Sequence, residues 1–580
     1  MLIASGITLV LITWLALTLV LTLVGLTLAL LTQSGAVDIG MLRRSAWWGL
    51  LLVTLAVLAG SLWLPIQSTT VGVLLILFAV FLGGLSIVLA RNRGWSVAHK
   101  LGRTFWIVAI PLVGAVIALA AAALGPVTNY DSGLYHLGAI GYAAQYPAIP
   151  GLANLYQPLG YATAQFPLAA AMGVGPWGEE GFRLLNGFVI FVVIADLASR
   201  FLRKAETPGR WIQLVGTTAL LVSMVALADY WVTSPSQDAS VFALSVVGAA
   251  YLSDAVTDKS RFAANGSTAL VISIMAVLIR PTMVFFAAGV GLAFLIRMWM
   301  WRKKEYPERS VVSLVVVFAA GAVGLILSTA RDYLLSGWFQ YPLSLFAFQV
   351  PWGAADPSSL RDATLGFHRN REDIEGSVSG FEWVGPWLSR AVSEWEAWLV
   401  GVMLAAAVVV LLVAKRKGPV GGRLLALSML PSSAAVTAWF LLSPPAFRFA
   451  WGPLVTLAAV PAGWGLWLLI DRARSSTWHQ IVVFASGLSV VIVSVVTLVA
   501  RTEWSEMSNK RQWSTVLPIS YAVASVQSPE VEEIQLPSGL KVISPVDDPL
   551  CWSAFPLCTP QIGPDVHLRS NSIRDGFERY

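Results

Sequence analysis

Apolar stretches that approach the length of a lipid bilayer recur from one end of this sequence to the other. A transmembrane helix needs about 17 to 25 predominantly apolar residues. The composition agrees with repeated spans, because 57% of the residues are apolar and only 12% are charged. We predict an all-α polytopic membrane protein with about 12 to 14 transmembrane helices, at residues 4–32, 46–65, 70–90, 104–124, 182–202, 211–231, 239–253, 265–279, 281–298, 311–329, 397–414, 424–442, 449–470 and 480–500. The stretch 239–253 is short, and the pair around Arg280 and Pro281 could also form one kinked helix.

The basic residues predict the orientation of these helices. More than half of the 38 basic residues fall in alternate short connections, whereas the opposite connections are longer and net acidic. Lys and Arg are retained on the cytoplasmic side, so the N-terminus and the long connections should lie outside the membrane of a bacterial cell. The net charge of +6 then reflects this rule and indicates no nucleic-acid partner. We divide the chain into N-terminal spans (1–124), a first external loop (125–181), middle spans (182–329), a second external loop (330–396), C-terminal spans (397–500) and an extracytoplasmic tail (501–580).

The tail is the one candidate for a small separate domain. Its segment QLPSGLKVISPV has the pattern of a strand, a Ser-Gly turn and a second strand. It also contains the only two cysteines of the chain, Cys551 and Cys558. The six residues between them are enough for a local disulfide in an oxidising compartment. Two unpaired thiols in a buried tail are the alternative.

The segment NYDSGLYHLGAI places several polar groups directly after the fourth predicted span. Apolar residues at helical spacing follow Asp131, which predicts a helix on the membrane surface. Asp131 could simply cap that helix. We favour catalysis or substrate binding because Ser would cap equally well and because Tyr135 and His136 lie within the next turn and a half. His136 and Tyr135 are candidate substrate ligands.

Three arginines lie at predicted membrane boundaries on the external side, against the positive-inside bias. They are Arg280 before Pro281, Arg331 at the start of the second external loop, and Arg448 at the start of the thirteenth span. One such arginine would be an ordinary interfacial anchor. Three suggest a phosphate site, because guanidinium binds phosphate bidentately and keeps its charge when partly buried.

Other polar side chains at the external boundary are weaker candidates. Asp238, before the seventh span, is either a second carboxylate or a helix cap. Asn154 and Tyr156 could bond sugar hydroxyls or pack a loop onto the helices, and Glu179 could bind substrate or favour a helix N-terminus. The tryptophans of the second loop fit an interfacial belt better than sugar stacking.

The sequence contains no motif for a nucleotide or a zinc ion. It lacks a Walker loop, GxGxxG and HExxH, and its five His and two Cys are scattered. We therefore assign no metal ligand and no cofactor. A divalent cation held by carboxylates stays open, because oxygen ligands leave no spacing signature.

Together these features resemble the GT-C superfamily of integral-membrane glycosyltransferases, which use polyprenyl-phosphate-linked sugars. Within it, NYDSGLYHLGAI with YPAIPGLANL, RDYLLSGWFQYP, PPAFRFAWG and CWSAFPLC resemble a group of large bacterial envelope proteins. The resemblance covers residues 125–580. It implies a lipid-linked sugar donor, a glycan, lipid or protein acceptor, Asp131 as the catalytic base, and Arg448, with Arg280 or Arg331, as the phosphate ligand.

Three other classes of protein remain open. A transporter or flippase of a lipid or glycan would also use many spans, but it should place ionisable groups in mid-membrane; Asp196, near the cytoplasmic end of the fifth span, is the clearest. An envelope polysaccharide polymerase or ligase would use a lipid-linked oligosaccharide. A structural subunit of a membrane complex is the third.

The charge asymmetry makes one prediction about topology. A reporter fused after Tyr580 should be active outside the cytoplasm, and mass spectrometry should find Cys551 and Cys558 joined in protein made in an oxidising compartment. A cytoplasmic reporter would overturn the topology, whereas two free thiols would overturn only the disulfide.

Overall fold

A computed structural model describes most of the chain. It covers residues 2–96, 103–174, 177–202, 207–301, 309–343, 345–355, 357–369, 380–416, 421–472, 476–500, 509–512, 520–563 and 565–579. The structural statements below refer to these residues. The predicted start of the tail, at residue 501, lies outside them.

Helices account for most of the described residues. The α-helices are α1 (Leu2–Thr32), α2 (Ile39–Trp63), α3 (Thr69–Ala90), α4 (Arg103–Ala122), α5 (Leu137–Gln145), α6 (Leu152–Leu155), α7 (Gln165–Ala171), α8 (Leu184–Phe201), α9 (Gly209–Ala226), α10 (Ala228–Trp231), α11 (Gln237–Thr257), α12 (Phe262–Ile279), α13 (Val284–Met300), α14 (Arg309–Ser336), α15 (Ser358–Arg369), α16 (Val384–Ala391), α17 (Trp395–Lys415), α18 (Gly422–Leu442), α19 (Phe447–Trp467) and α20 (Ser476–Ala500). Turns of π-helix occur at Ser132–His136 and Leu468–Arg472, and 3₁₀ turns at Gln157–Gly160, Gly178–Arg183, Lys259–Arg261, Pro281–Met283 and Ile573–Asp575.

Thirteen of the described helices are long and apolar enough to cross a membrane. Within the part of α20 whose side chains are described, Ile481–Val496 forms a shorter apolar helix. This confirms an all-α polytopic membrane fold. The short span predicted at 239–253 is longer in the structure, because α11 runs from Gln237 to Thr257. The alternative of one kinked helix around Arg280 is wrong, since α12 ends at Ile279 and a 3₁₀ turn separates it from α13.

Helix α11 forms the centre of the bundle. Nearly all of its residues are buried, and it contacts α8, α9, α12, α18 and α19. By contrast, α3, α14 and α17 expose many large apolar side chains along their lengths, as expected of helices that face lipid. Polar side chains at one end of the central helices are therefore shielded by a surrounding layer of apolar helices.

The long connections gather at one end of the bundle, which we call the loop face. It holds the described residues of the segments 123–183 and 337–394 and of the tail. The second connection begins later than predicted, because α14 continues to Ser336 instead of ending at 329. The opposite end carries the short connections, including residues 258–261 and Gly421, the described residue before α18.

The tail consists of short strand pairs that dock on the loop face. The strands are β3 (Asn509–Gln512), β4 (Ser520–Val523), β5 (Val531–Gln535), β6 (Lys541–Pro545), β7 (Val566–Leu568) and β8 (Phe577–Arg579), following β1 (Val37–Asp38) and β2 (Trp95–Ser96) at the opposite end. Neighbouring tail strands pair antiparallel, and β1 pairs parallel with β2. The predicted hairpin is present as β5 and β6.

A disulfide joins Cys551 and Cys558, whose Cα atoms lie 5.9 Å apart. Next to it, Trp552 covers Gly133 in the first connection. The Trp552 amide donates to the Gly133 carbonyl at 3.0 Å, and a Cβ on Gly133 would lie 2.6 Å from the Trp552 ring. The cysteine loop therefore packs directly on the turn that follows Asp131.

Helices α1 and α2 cross at two glycines without side chains between them. A Cβ on Gly49 would lie 1.9 Å from the carbonyl oxygen of Leu21, and a Cβ on Gly25 would lie 2.0 Å from that of Ser45. Small residues allow such close backbone contact between membrane helices.

Gly49→Ala should destabilise the protein, because the new methyl group overlaps backbone that cannot move aside. Overpacking costs about 1 to 3 kcal/mol, which should lower the thermal unfolding temperature in detergent by several degrees. Gly84→Ala in α3 is the matched control, since a Cβ there meets nothing within 4 Å. Equal unfolding temperatures for the two variants would contradict the close crossing.

Candidate functional site

A cavity of about 710 Å³ opens on the loop face. Its wall comes from four parts of the chain: the start of the first connection, the segment around α10, the second connection and the start of α19. The lining residues are Thr128, Tyr130, Asp131, Ala226, Leu227, Ala228, Asp229, Tyr230, Trp231, His368, Trp387, Arg390, Glu394, Glu396, Pro445, Ala446, Phe447 and Arg448. Its volume lies in the range of pockets that bind small molecules.

Asp131 enters this cavity from a tight polar turn after α4. The amide side chain of the buried Asn129 accepts a hydrogen bond from the Asp131 backbone N–H at 3.0 Å and donates one to the Tyr230 carbonyl at 3.3 Å. Asp131 has helical backbone angles and makes no capping bond to the helix that follows. The interpretation of Asp131 as a helix cap is therefore wrong.

The side chain of Asp131 instead pairs with Arg448, a contact that no sequence pattern predicted. Nη1 of Arg448 donates to Oδ2 of Asp131 at 2.8 Å. Arg448 lies in the first turn of α19, three residues after Pro445, and its guanidinium is 5.0 Å from the ring of Phe449. The side chains of Asp131 and Arg448 keep 21% and 25% of their surface exposed, so both are open to a ligand in the cavity.

Aromatic side chains form much of the remaining wall. Trp387 stacks on Phe447 with centroids 5.8 Å apart and donates its indole N–H to the Pro445 carbonyl at 2.7 Å. On the other side, Tyr230 lines the cavity beside Arg448, and its ring lies 4.7 Å from that of Trp231. These contacts fix the start of α19 between the second connection and α10.

A second ion pair lies beside the first, below the cavity. Nη2 of Arg280 donates to Oδ1 of Asp238 at 2.6 Å, and the side chains are only 11% and 5% exposed. Asp238 is in the first turn of α11, but Ser236 holds the N-cap position. Asp238 is thus a paired carboxylate and not the cap. Neither partner is among the described residues that line the cavity.

Beneath Asp131, His136 is buried and Tyr135 is half-buried. Their rings are 4.5 Å apart, and Nδ1 of His136 lies 3.3 Å from the Ser132 hydroxyl. Burial lowers the pKa of His136 to about 3, so its imidazole is neutral at physiological pH. Burial, reinforced by the charge of Asp131, raises the pKa of Tyr135 well above its usual value. Both side chains support the Asp131 turn from below, and neither lines the described cavity.

The remaining predicted site residues lie away from the cavity. Arg331 does not begin a loop: it is buried in α14, which extends past it, and it donates to the Ser61 hydroxyl at 3.0 Å. Asn154 is buried and donates to the backbone carbonyls of Trp352 and Phe577. Glu179 is exposed in a 3₁₀ turn.

Tyr156 is half-buried near Tyr130 and Asp131. Burial raises the pKa of its hydroxyl group.

Several residues that line the cavity were not among the site residues predicted from the sequence. Asp229 and Tyr230 fell inside the predicted span 211–231, whereas α9 ends at Ala226; an acidic residue near the end of an apolar stretch was the available signal. No such position marks Arg390, Glu394 and Glu396, because they lie among many polar residues of the predicted second external loop (330–396).

No group of three or more His, Cys, Asp or Glu among the described residues is arranged to hold a metal ion. Among the charged groups of the site, the Asp131 carboxylate and the Arg448 guanidinium are in direct contact, with the Asp238–Arg280 pair beneath them. Further ionisable side chains, Asp229, His368, Arg390, Glu394 and Glu396, also line the cavity.

Comparison with known proteins gives one match. No curated protein and no solved structure matches the chain. A family model described as a domain of unknown function, DUF8201, matches residues 7–455. The match includes both ion pairs and ends before the tail. Because the matched region makes up more than half of the 580 residues, this chain belongs to the DUF8201 family.

Proposed function

We propose that this protein is a membrane glycosyltransferase that moves a sugar from a polyprenyl-phosphate carrier to a hydroxyl group of a glycan, lipid or protein acceptor. The observation that supports this most is the Asp131–Arg448 pair, about a quarter exposed, in a cavity at one end of an apolar helix bundle. Such a cavity suits a donor with a lipid chain, a phosphate and a polar sugar. The bacterial membrane and an extracytoplasmic loop face are part of this proposal.

The pair suggests how donor binding prepares the catalytic base. The phosphodiester of the donor carries one negative charge, as a carboxylate does, and its two free oxygens can bond guanidinium bidentately. A donor phosphate would therefore displace Asp131 from Arg448, and the carboxylate would be released within reach of the bound sugar. Donor binding and base activation become one event, and no further residue is needed to couple them.

The reaction can be written with these two groups. Asp131 accepts the proton of the acceptor hydroxyl while that oxygen forms a bond to the anomeric carbon. The bond between this carbon and the phosphate oxygen breaks, and its electron pair leaves with polyprenyl phosphate. Arg448 stabilises the charge that develops on this leaving group. Tyr230, which lies beside Arg448 in the cavity wall, helps to orient the guanidinium.

The rival classes need other features. A transporter should present ionisable groups along a path through the bundle. Asp196, the clearest such group, is fully bonded near the end of α8 opposite the loop face: it accepts from Trp47 at 2.8 Å and Tyr251 at 2.7 Å and pairs with Arg200 at 3.0 Å. A polymerase or ligase would use the same two groups on a larger donor. Release of polyprenyl phosphate from a labelled lipid-linked monosaccharide, with purified protein in nanodiscs, separates the three.

Asp131→Asn should abolish most turnover while preserving donor binding. Asparagine keeps the size of the side chain but cannot accept a proton, so turnover should fall by roughly 10² to 10⁴. Binding of polyprenyl phosphate should stay equal or become tighter, because a neutral amide competes less for Arg448. Binding is measured by fluorescence titration in nanodiscs and turnover by phosphate-lipid release.

Asp547→Asn, an exposed position in the tail, is the control for loss of a carboxylate on the loop face. Full turnover of the Asp131→Asn variant would show that Asp131 is only a partner for Arg448.

Arg448→Ala should weaken donor binding by at least a hundredfold. The change removes the phosphate ligand and leaves Asp131 without its partner. Breaking a buried charge pair costs about 3 to 5 kcal/mol, and the cost for this partly exposed pair lies toward the lower end of that range. Arg574→Ala, an exposed arginine of the tail, controls for the loss of positive charge. Unchanged binding by a folded Arg448→Ala variant would remove Arg448 from the site.

A further inference from the structure

The first turn of α19, which carries Arg448, is not held by the ordinary bonds of a helix. Each helical N–H donates to the carbonyl four residues earlier. Pro453 has no N–H, so it cannot donate to the Phe449 carbonyl. The backbone leaves helical geometry at the next residue, Ala450, with φ −123° and ψ 16°. Residues 447–449 therefore form a turn that is separated from the body of the helix.

Arg280 donates a hydrogen bond to the Phe449 carbonyl, to which Pro453 cannot donate. Its Nη1 donates to the Phe449 oxygen at 3.4 Å, a long hydrogen bond, and its guanidinium is 5.6 Å from the Phe449 ring. Its Nη2 is fixed by Asp238 at 2.6 Å. One guanidinium thus ties the broken turn of α19 to the start of α11 and to the end of α12.

The position of this turn sets the position of Arg448. The ring of Phe449 lies between the two guanidiniums, 5.0 Å from that of Arg448 and 5.6 Å from that of Arg280. Just after the break, α19 touches α11 so closely that a Cβ on Gly452 would lie 2.7 Å from the Cα atom of Phe242. The helix body is therefore fixed against α11, and Arg280 holds the turn that precedes it.

We infer that Arg280 is a positioning residue, which replaces the hydrogen bond lost at Pro453 and thereby aims Arg448 into the cavity. This role differs from the direct phosphate contact predicted from the sequence, and it agrees with the burial of Arg280 below the cavity. Its effect on donor binding rests on the proposed function, whereas its effect on the turn does not.

The test uses a variant in which both members of the lower pair are neutral, Asp238→Asn with Arg280→Met, so that no lone charge is left buried. Hydrogen–deuterium exchange of the peptide that contains residues 446–452 should become about tenfold faster, the size expected for loss of a charged hydrogen bond. Binding of polyprenyl phosphate in nanodiscs should weaken by about the same factor.

Adding Pro453→Ala supplies an N–H that can bond the Phe449 carbonyl. It should return both exchange and binding to within about threefold of the natural protein. Pro461→Ala is the matched control, because it adds an N–H to the same helix eight residues later and should rescue neither. If the neutral pair does not fold, Arg280→Lys keeps the charge beside Asp238 but lacks the planar fork, and it should give an intermediate exchange rate.

Three results would overturn the positioning role. The first is unchanged exchange in the neutral-pair variant, and the second is rescue by Pro461→Ala. The third is recovery of exchange but not of binding on adding Pro453→Ala, which would make Arg280 a direct donor ligand. If the natural protein binds no polyprenyl phosphate, the proposed donor fails, and the exchange results alone still decide what Arg280 does.

Discussion

The Asp131–Arg448 ion pair links the two parts of the chain from which the candidate site is built. Its members are 317 residues apart in sequence, one in the turn after α4 and the other at the start of α19. At the end of an apolar bundle a charged group is costly unless it is paired. The pair therefore decides where the first connection and α19 meet, and the cavity forms around that meeting point.

The tail strengthens this arrangement from the other side. Besides Trp552 on Gly133, the amide of Leu557 donates to the Tyr142 hydroxyl at 3.0 Å, and Phe555 lies 4.9 Å from the Tyr142 ring. The disulfide loop thus rests on the π-helical turn and on α5, which carry Asp131 at their start. The tail therefore stabilises the turn that carries Asp131, and none of its described residues lines the cavity.

The sequence predicted the elements of this fold better than their contacts. Apolar length fixed the spans, and punctuation by Pro and Gly fixed the tail hairpin, because both signals are local. The pairing of Asp131 with Arg448 depends on the docking of distant helices, so no local pattern announced it. Arg331 was misassigned because α14 continues two turns beyond its apolar part. The sequence placed Arg280 correctly between two helices. Its partner, the Phe449 carbonyl, lacks a helical hydrogen bond because Pro453 has no N–H, and Pro453 is on another helix.

The two ion pairs of the site differ in exposure, and this difference separates their roles. Asp131 and Arg448 keep about a quarter of their side-chain surface open, whereas Asp238 and Arg280 are nearly sealed. When the upper pair opens, water and an incoming anion can form part of the interactions that Asp131 and Arg448 lose. A phosphate can therefore take the place of the Asp131 carboxylate on Arg448. Opening the lower pair would leave two buried charges without solvent, at a cost of about 3 to 5 kcal/mol. In the proposed function, a donor phosphate would exchange with the upper carboxylate while the lower pair keeps the start of α19 in place.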